Sequence, residues 1–281
     1  MEGTVQELMA LLDLQDAGEG VFIGPPSNDG WIRVFGGQVL AQALAAASFT
    51  VGETPAHSLH AYFLRAGKPG RPIEYEVSAM RDGASFATRN VIGVQRDEVN
   101  FHMVASFDGT SGGDDYQSEM PDVKPPESFP DEETRTAKLL EGASDEMKER
   151  IKRKRPIEMI RATDASAGAT GPSHTWMRAR GELMDDPNLH RCVLAYASDM
   201  GPIEPCMRAT GARFGDMGTQ VASLDHAIWF HRPFRFDDWL LFSFEAASVS
   251  SGRGLSRGTV FDREGTLVAT IVQEAVIRAR D

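Results

Sequence analysis

The sequence has little cysteine, no long apolar run and no excess of positive charge. Each shortage excludes something. Two cysteines, Cys192 and Cys206, allow no disulfide framework and match no zinc-ligand spacing. A reducing, cytoplasmic setting is the expectation that follows. No apolar run approaches the roughly 20 residues that span a bilayer, so no membrane insertion is expected. Met1–Leu8 lacks a basic region followed by an apolar one, and is not read as a signal peptide. Ile277–Asp281 carries no peroxisomal or retention tripeptide. Lys and Arg number 29 against 41 Asp and Glu, a net charge of −12. That balance argues against a general binder of nucleic acid or anionic membrane. It leaves room for a small anionic ligand on a local basic patch.

What is present describes a soluble globular protein, with 41% hydrophobic and 25% charged residues. A chain of 281 residues fits one large domain or two of about 140 residues each. Val5, Leu8, Met9, Leu11 and Leu12 recur at helical spacing and predict a short amphipathic helix over 5–13. Val21-Phe22-Ile23 reads as a strand ended by Gly24-Pro25-Pro26. The run Val39–Ala47 is small and apolar nearly all round, so its helix must be buried on most sides. Gly36 and Gly37 open it. They allow a tight entry turn, or free amides turned toward an anion or carbonyl. The pattern is neither GxGxxG nor a phosphate loop, and both readings stay open. Four strands are expected next, at His57–Leu64, Ile73–Met80, Ala87–Gln95 and Phe101–Phe107. One buried helix with an antiparallel sheet makes this half α+β.

Residues 108–135 are rich in Gly, Ser, Asp, Glu and Pro, and read as a linker or long surface loop. Residues 135–155 suggest a charged helix ending in the basic cluster Arg150–Arg155. The cluster suits phosphate contacts, or a solvated helix C-terminus whose dipole favours cations. The second is preferred, because charge runs are usually exposed.

The second half repeats the order of the first. A helix at Leu189–Met200 precedes strands at Ala222–Phe230, Trp239–Ser248, Leu255–Phe261 and Leu267–Arg278. Ser58–Arg65 resembles Asp225–Arg232, and Ala87–Val91 resembles Leu255–Thr259. Two such modules would pair edge to edge and hide edges that invite aggregation. The boundaries expected are an N-terminal module at 1–108, a linker with charged helix at 109–156 and a C-terminal module at 157–281.

Val221–Phe234 stands out. Ser223, Asp225, His226 and His231 sit among Leu224, Ile228, Trp229 and Phe230. Buried polar groups cost free energy unless paired, so the stretch is the wall of a site or an unusually well-satisfied core strand. His226 and His231 are five apart and point to opposite faces of a regular strand, which disfavours a metal pair. No metal site is expected. Ser223, Asp225 and His226 are too close on one strand to face each other as a nucleophilic triad requires.

Several segments together resemble the acyl-CoA thioesterase II family. They are Phe35-Gly36-Gly37-Gln38, His60–Arg65, Tyr196-Ala197-Ser198-Asp199, Ser223-Leu224-Asp225-His226 through Phe234, and Val272-Gln273-Glu274. The resemblance runs from about Leu8 to Arg278. It implies a double hotdog fold, with two helix-wrapped modules sharing one continuous sheet. It implies an acyl-CoA substrate, no cofactor, and a homo-oligomer of double hotdog chains. By motif, Asp199, Ser223 and Gln273 correspond to the family's water-positioning group. Ala275 stands where some members have Gly, a departure that leaves this group unaffected. Gly37, Gln38, His60, Asp225 and His226 lie in the same motifs and are the substrate-binding candidates.

Thioester hydrolysis needs a nucleophile, a proton acceptor and stabilisation of an oxyanion. Asp199 could accept a proton from water, while Ser223 and Gln273 offer donors and acceptors to hold that water. Each also has a structural reading. Asp199 could cap the turn at Met200-Gly201-Pro202, Gln273 could be an ordinary sheet residue, and Ser223 could serve a backbone group. Two rival functions remain. One is a hotdog enoyl-CoA hydratase, suggested by Asp186-Pro187-Asn188-Leu189-His190, although the residue order differs. The other is a non-catalytic acyl-CoA binding protein.

Overall fold

Half of residues 36–49 are alanine or leucine, and the segment forms the helix around which the rest is built. The computed structural model describes residues 4–27, 32–110, 112–142, 148, 155–163, 168–212 and 218–279. A short helix α1 (Val5–Leu12) and a hairpin of β1 (Gln15–Gly18) and β2 (Val21–Gly24) lead into α2 (Gly36–Phe49). Every residue of α2 from Gly37 to Ser48 is buried, as an all-round apolar helix must be. Four strands follow: β3 (Ala56–Phe63), β4 (Ile73–Asp82), β5 (Phe86–Gln95) and β6 (Glu98–Asp108). A helix α3 (Glu132–Leu140) stands between the halves. Then come β7 (Ile157–Arg161), β8 (Ser173–Ala179), helices α4 (Pro187–Ser198) and α5 (Glu204–Thr210), and β9 (Thr219–Ser223). The chain ends with β10 (Asp225–Phe230), β11 (Leu240–Ser250), β12 (Arg253–Phe261) and β13 (Leu267–Ala279).

Among the described residues the strands form one antiparallel sheet, ordered β1-β2-β4-β5-β6-β3-β10-β13-β12-β11-β8-β7, with β9 also on β13. The halves meet at β3 and β10, where Ala227 faces His60 and Ile228 faces Leu59. The edges that each half would expose are thereby paired. One apolar cluster runs through both halves under α2 and α4, from Leu40 and Leu44 to Leu194 and Ile271.

The ladders carry the mark of duplication. Register breaks fall at Ala79/Arg81 in β4 and Ala246/Ser248 in β11. Others fall at Gly93/Val94 in β5 and Val260/Phe261 in β12. A further break falls at Ala56/Ser58 in β3. Its counterpart follows Ser223, where Ser223 pairs with Ala275 but Ala227 pairs with Val272, leaving one extra residue. All three pairs of breaks stand at one constant sequence offset. That offset places Arg89 opposite Ser256. The sequence likeness of Ala87–Val91 to Leu255–Thr259 is therefore one residue out of register. A one-residue slip moves every side chain to the other face: Arg89 is buried, whereas the Arg257 side chain is 66% exposed.

Two expectations need correction. Ala222–Phe230 is not one strand but two, β9 and β10, broken at Leu224. The charged helix begins earlier than 135, because Asp131 caps it by accepting from the Thr134 amide at 2.8 Å. It ends at Leu140, with a turn at Glu141-Gly142 after it, and Arg150–Lys154 lie outside the described residues. The stretch before α3 is a strap laid on the second half. Trp176 Nε1 donates to the Lys124 carbonyl at 2.9 Å, and Gln117 bonds both Gly265 and Leu267. Met120, Val123 and Phe129 pack against Trp176, Trp239 and Leu241.

Candidate active site

Helices α2 and α4 lie antiparallel, and the site forms where the start of one meets the end of the other. Helix α4 starts sharply, with Asp186 accepting from the Asn188 amide at 2.8 Å and Pro187 in the first turn. It ends at Asp199, followed by Gly201 at φ 116° and Pro202. The Gly37 amide, in the first turn of α2, donates to Asp199 Oδ2 at 3.0 Å. The two glycines are a steric requirement here. A Cβ on Gly37 would stand 2.2 Å from the Tyr196 carbonyl oxygen, and one on Gly36 would stand 2.7 Å from Asp199 Oδ2. Of the two readings of these glycines, the free amide toward an anion holds, and the anion is the protein's own carboxylate.

The sheet supplies the other groups through the bulge after Ser223. The Leu224 amide donates to the Glu274 carbonyl, and the Leu224 carbonyl accepts from Phe63, both at 2.9 Å. The Glu274 amide turns to Asp225 Oδ1 at 2.7 Å. The extra residue changes the parity of the strand, so Ser223 and His226 share the helix-facing side. Ser223 Oγ donates to Asp199 Oδ1 at 3.5 Å, and Gln273 Nε2 donates to Ser223 Oγ at 2.7 Å. Behind them, Gln273 Oε1 meets His226 Nδ1 at 2.7 Å.

Burial decides the electrostatics. Desolvation pushes the Asp199 carboxyl up to about 6, against the lowering effect of hydrogen bonds from Gln273, Gly37 and Ser223. Asp199 and Ser223 are only partly buried, so the trio opens on solvent. Phe35, Phe63 and Tyr196 stand around it, with Phe35 and Tyr196 edge to face at 5.2 Å. His226 is fully buried, and burial pushes its imidazole down to about 4 despite the Gln273 hydrogen bond.

The fold thus brings Asp199, Ser223, Gln273 and Gly37 together. The other substrate-binding candidates have other partners. Gln38 is buried and donates to the Pro25 carbonyl at 3.2 Å. His60 is exposed on the opposite face of the sheet, edge to face with Trp229 at 5.0 Å. Asp225 fills the bulge, and His226 lies behind Gln273 rather than in the opening. His226 and His231 do point to opposite faces, and His231 Nε2 meets Thr270 Oγ1 at 2.8 Å. Among the described residues no three His, Cys, Asp or Glu are grouped to hold a metal ion. The segment that suggests a hydratase lies at the far end of α4. Asp186 caps the helix, Asn188 bonds Thr54 and Ala56, and His190 Nδ1 accepts from the Phe236 amide. Sequence reasoning missed Ser198, whose Oγ stands 2.9 Å from His226 Nε2. Its signal was present, since it precedes Asp199 in the same motif.

Comparison with known proteins identifies the family. Residues 25–108 match the acyl-CoA thioesterase N-terminal domain and residues 124–277 the C-terminal domain. "Acyl-CoA thioesterase 2" of Haemophilus influenzae is 35% identical, over 99% of this chain and 99% of its own. The crystal structure of an acyl-CoA thioesterase II from Mycobacterium marinum superposes with TM-score 0.80 at 34% identity, covering 98% of each chain. A hot dog protein from Alicyclobacillus acidocaldarius, at 19% identity and TM-score 0.77 over 98% of this chain and 99% of its own, shares the fold. The protein is a double hotdog thioester hydrolase, and the chain belongs to the acyl-CoA thioesterase II family.

Proposed function

We propose that the protein hydrolyses acyl-CoA to a fatty acid and CoA through a water held by Asp199, Ser223 and Gln273. The convergence of these three side chains at the N-terminus of α2 carries the reading. Asp199 takes a proton from the water, and the water oxygen bonds to the thioester carbonyl carbon. The C–S bond then breaks, and the CoA sulfur leaves with the proton returned from Asp199. No covalent acyl-enzyme is needed. The positive end of α2 lies where it can favour the developing oxyanion. The aromatic wall of Phe35, Phe63 and Tyr196 suits an apolar acyl group and lowers the local dielectric. Gly37 belongs to the site through its amide.

The reading extends to the whole molecule. It takes 1–108 and 157–281 as the two modules and 109–156 as the connection between them. Two free, buried cysteines suit a reducing cytoplasm. Exposed Tyr62 and Leu64 beside the central seam suit burial in a homo-oligomer. The test is thiol release from acyl-CoA by Asp199→Asn. A folded variant is expected to lose most turnover, and near-normal kcat would overturn the assignment.

A further inference from the structure

Behind the trio lie two polar side chains that the hydrolytic scheme leaves unused. Ser198 and His226 are both fully buried. With them the contacts form one file: Ser198 Oγ to His226 Nε2 at 2.9 Å, His226 Nδ1 to Gln273 Oε1 at 2.7 Å, Gln273 Nε2 to Ser223 Oγ at 2.7 Å. The file ends on the Asp199 carboxylate.

Proton stock decides its direction. A neutral imidazole donates from one nitrogen and accepts at the other, an amide donates only from nitrogen, and a hydroxyl donates once. Two arrangements then satisfy every contact of the file behind Ser223, and the first gives up the Ser198 bond to the Ala195 carbonyl. In the first, Ser198 donates to His226 Nε2 and His226 donates from Nδ1 to the Gln273 oxygen. Gln273 turns its nitrogen to Ser223, and the Ser223 proton goes to Asp199. In the second, Ser198 donates instead to the Ala195 carbonyl at 2.8 Å, and His226 carries its proton on Nε2. Gln273 then turns its nitrogen to His226, and its oxygen takes the Ser223 proton. The second arrangement strips Asp199 of both its Gln273 and Ser223 donors. A desolvated carboxylate resists that loss.

We propose that Ser198 and His226 are positioning residues that hold the Gln273 amide in the orientation aiming the Gln273 and Ser223 protons at Asp199. The proposal rests on the assignment of Asp199, Ser223 and Gln273 as the water-holding trio. Neither positioning residue reaches the opening. Ser198 donates to Nε2, the imidazole is held as its Nδ1–H tautomer, and that proton fixes the Gln273 oxygen. Burial keeps the ring neutral.

Histidine nitrogen NMR on the 15N-labelled enzyme reads the tautomer directly, with His226→Asn assigning the signal by its loss. A neutral ring protonated on Nδ1 is expected at pH 7.5. A proton on Nε2, or on both nitrogens, overturns the proposal. Kinetics give a second readout. Ser198→Ala is expected to lower kcat about tenfold, the worth of one hydrogen bond, with KM unchanged. His226→Leu should lose more, and His226→Asn, whose amide nitrogen can take the place of Nδ1, should recover most of it. If His226→Leu fails to fold, the tautomer and the Ser198→Ala rate decide. Normal turnover in Asp199→Asn would remove the trio itself. Loss there, with normal kcat in folded Ser198→Ala and His226→Leu, would sink the positioning role alone.

Discussion

The two ends of the antiparallel helix pair are built on one plan, and only one of them gathers the proposed catalytic trio. The offset fixed by the register breaks sets Ala56 in the place of Ser223 and Leu59 in the place of His226. Leu59 faces Ala105 across its ladder, where His226 meets Gln273. Thr50 closes α2 as Asp199 closes α4. At the inert end everything follows the local rules. The α2 C-terminus receives a cation, with Arg89 Nε donating to Thr50 Oγ1 at 2.7 Å and Arg89 Nη2 to the Thr50 carbonyl at 3.2 Å. Ala56, Leu59 and Ala105 are buried and apolar. Asn188, second in α4 as Gly37 is second in α2, fills its end with a side chain. At the active end each choice is reversed. A helix C-terminus carries an anion, the buried positions are polar, and glycine stands where a side chain would block the approach. Functional sites are where a fold accepts such local conflict.

Asp199 is the sharpest reversal and should give the largest effect. Asp199→Asn is expected to lower kcat about a thousandfold, as loss of a general base does. The same variant should be more stable. Asp199 titrates near 6 in the folded chain and near its ordinary lower value unfolded. The unfolded state therefore binds fewer protons between those values, and stability falls as pH rises through that window. Above pH 7 the cost of the buried charge is on the order of 3 kcal/mol, and Asn removes it. Urea unfolding at pH 8 checks this, and a destabilised Asn variant would contradict the comparison. The wild-type rate should show the same carboxyl. kcat/KM is expected to fall with unit slope below pH 6, about tenfold by pH 5. A flat profile from pH 5 to 8 would remove Asp199 as the base.

Copying the active end onto the inert one tests the plan itself. Leu59→His with Ala105→Gln places the imidazole–amide pair where no Ser198, Ser223 or carboxylate waits. Lost packing and unpaired polar atoms should cost on the order of 3 kcal/mol, with thiol release unchanged. A neutral double variant, measured by thermal unfolding, would show that the inert end tolerates what the active end needs.

Much of this was legible in the sequence, for reasons that differ by element. The all-round apolar run fixed α2 as central, and alternation with turn signals located most long strands. Asp199, Ser223 and Gln273 came from motifs. What escaped was parity. Nothing in Ser223-Leu224-Asp225-His226 announces an extra residue, and a regular strand would set Ser223 and His226, three apart, on opposite faces. A bulge is written in the partner strand, through Glu274 and Phe63, and not in its own residues. Strands β7 and β8, the last two at that end of the sheet, escaped because charges interrupt their pattern. Arg178 pairs with Glu158 at 2.9 Å and stacks over Trp239 at 4.4 Å, so its apolar stem packs while its residue type reads as surface.

Asn188 gives the smallest effect and the cleanest separation of the two ends. Its Oδ1 accepts from the Ala56 amide at 3.3 Å, and its Nδ2 donates to the Thr54 carbonyl at 3.2 Å. It is buried, so Asn188→Ala leaves one donor and one acceptor without water to replace it. The expected cost is about 1–2 kcal/mol, read as a lower urea midpoint with an unchanged slope. Helix α4 runs 12 residues, roughly 18 Å at 1.5 Å per residue, so the lost bonds lie one helix length from Asp199. kcat and the acid limb of the pH profile should both hold. A fall in kcat would mean that the inert end also sets the position of α4 and its terminal carboxylate, and that the two ends are mechanically one site.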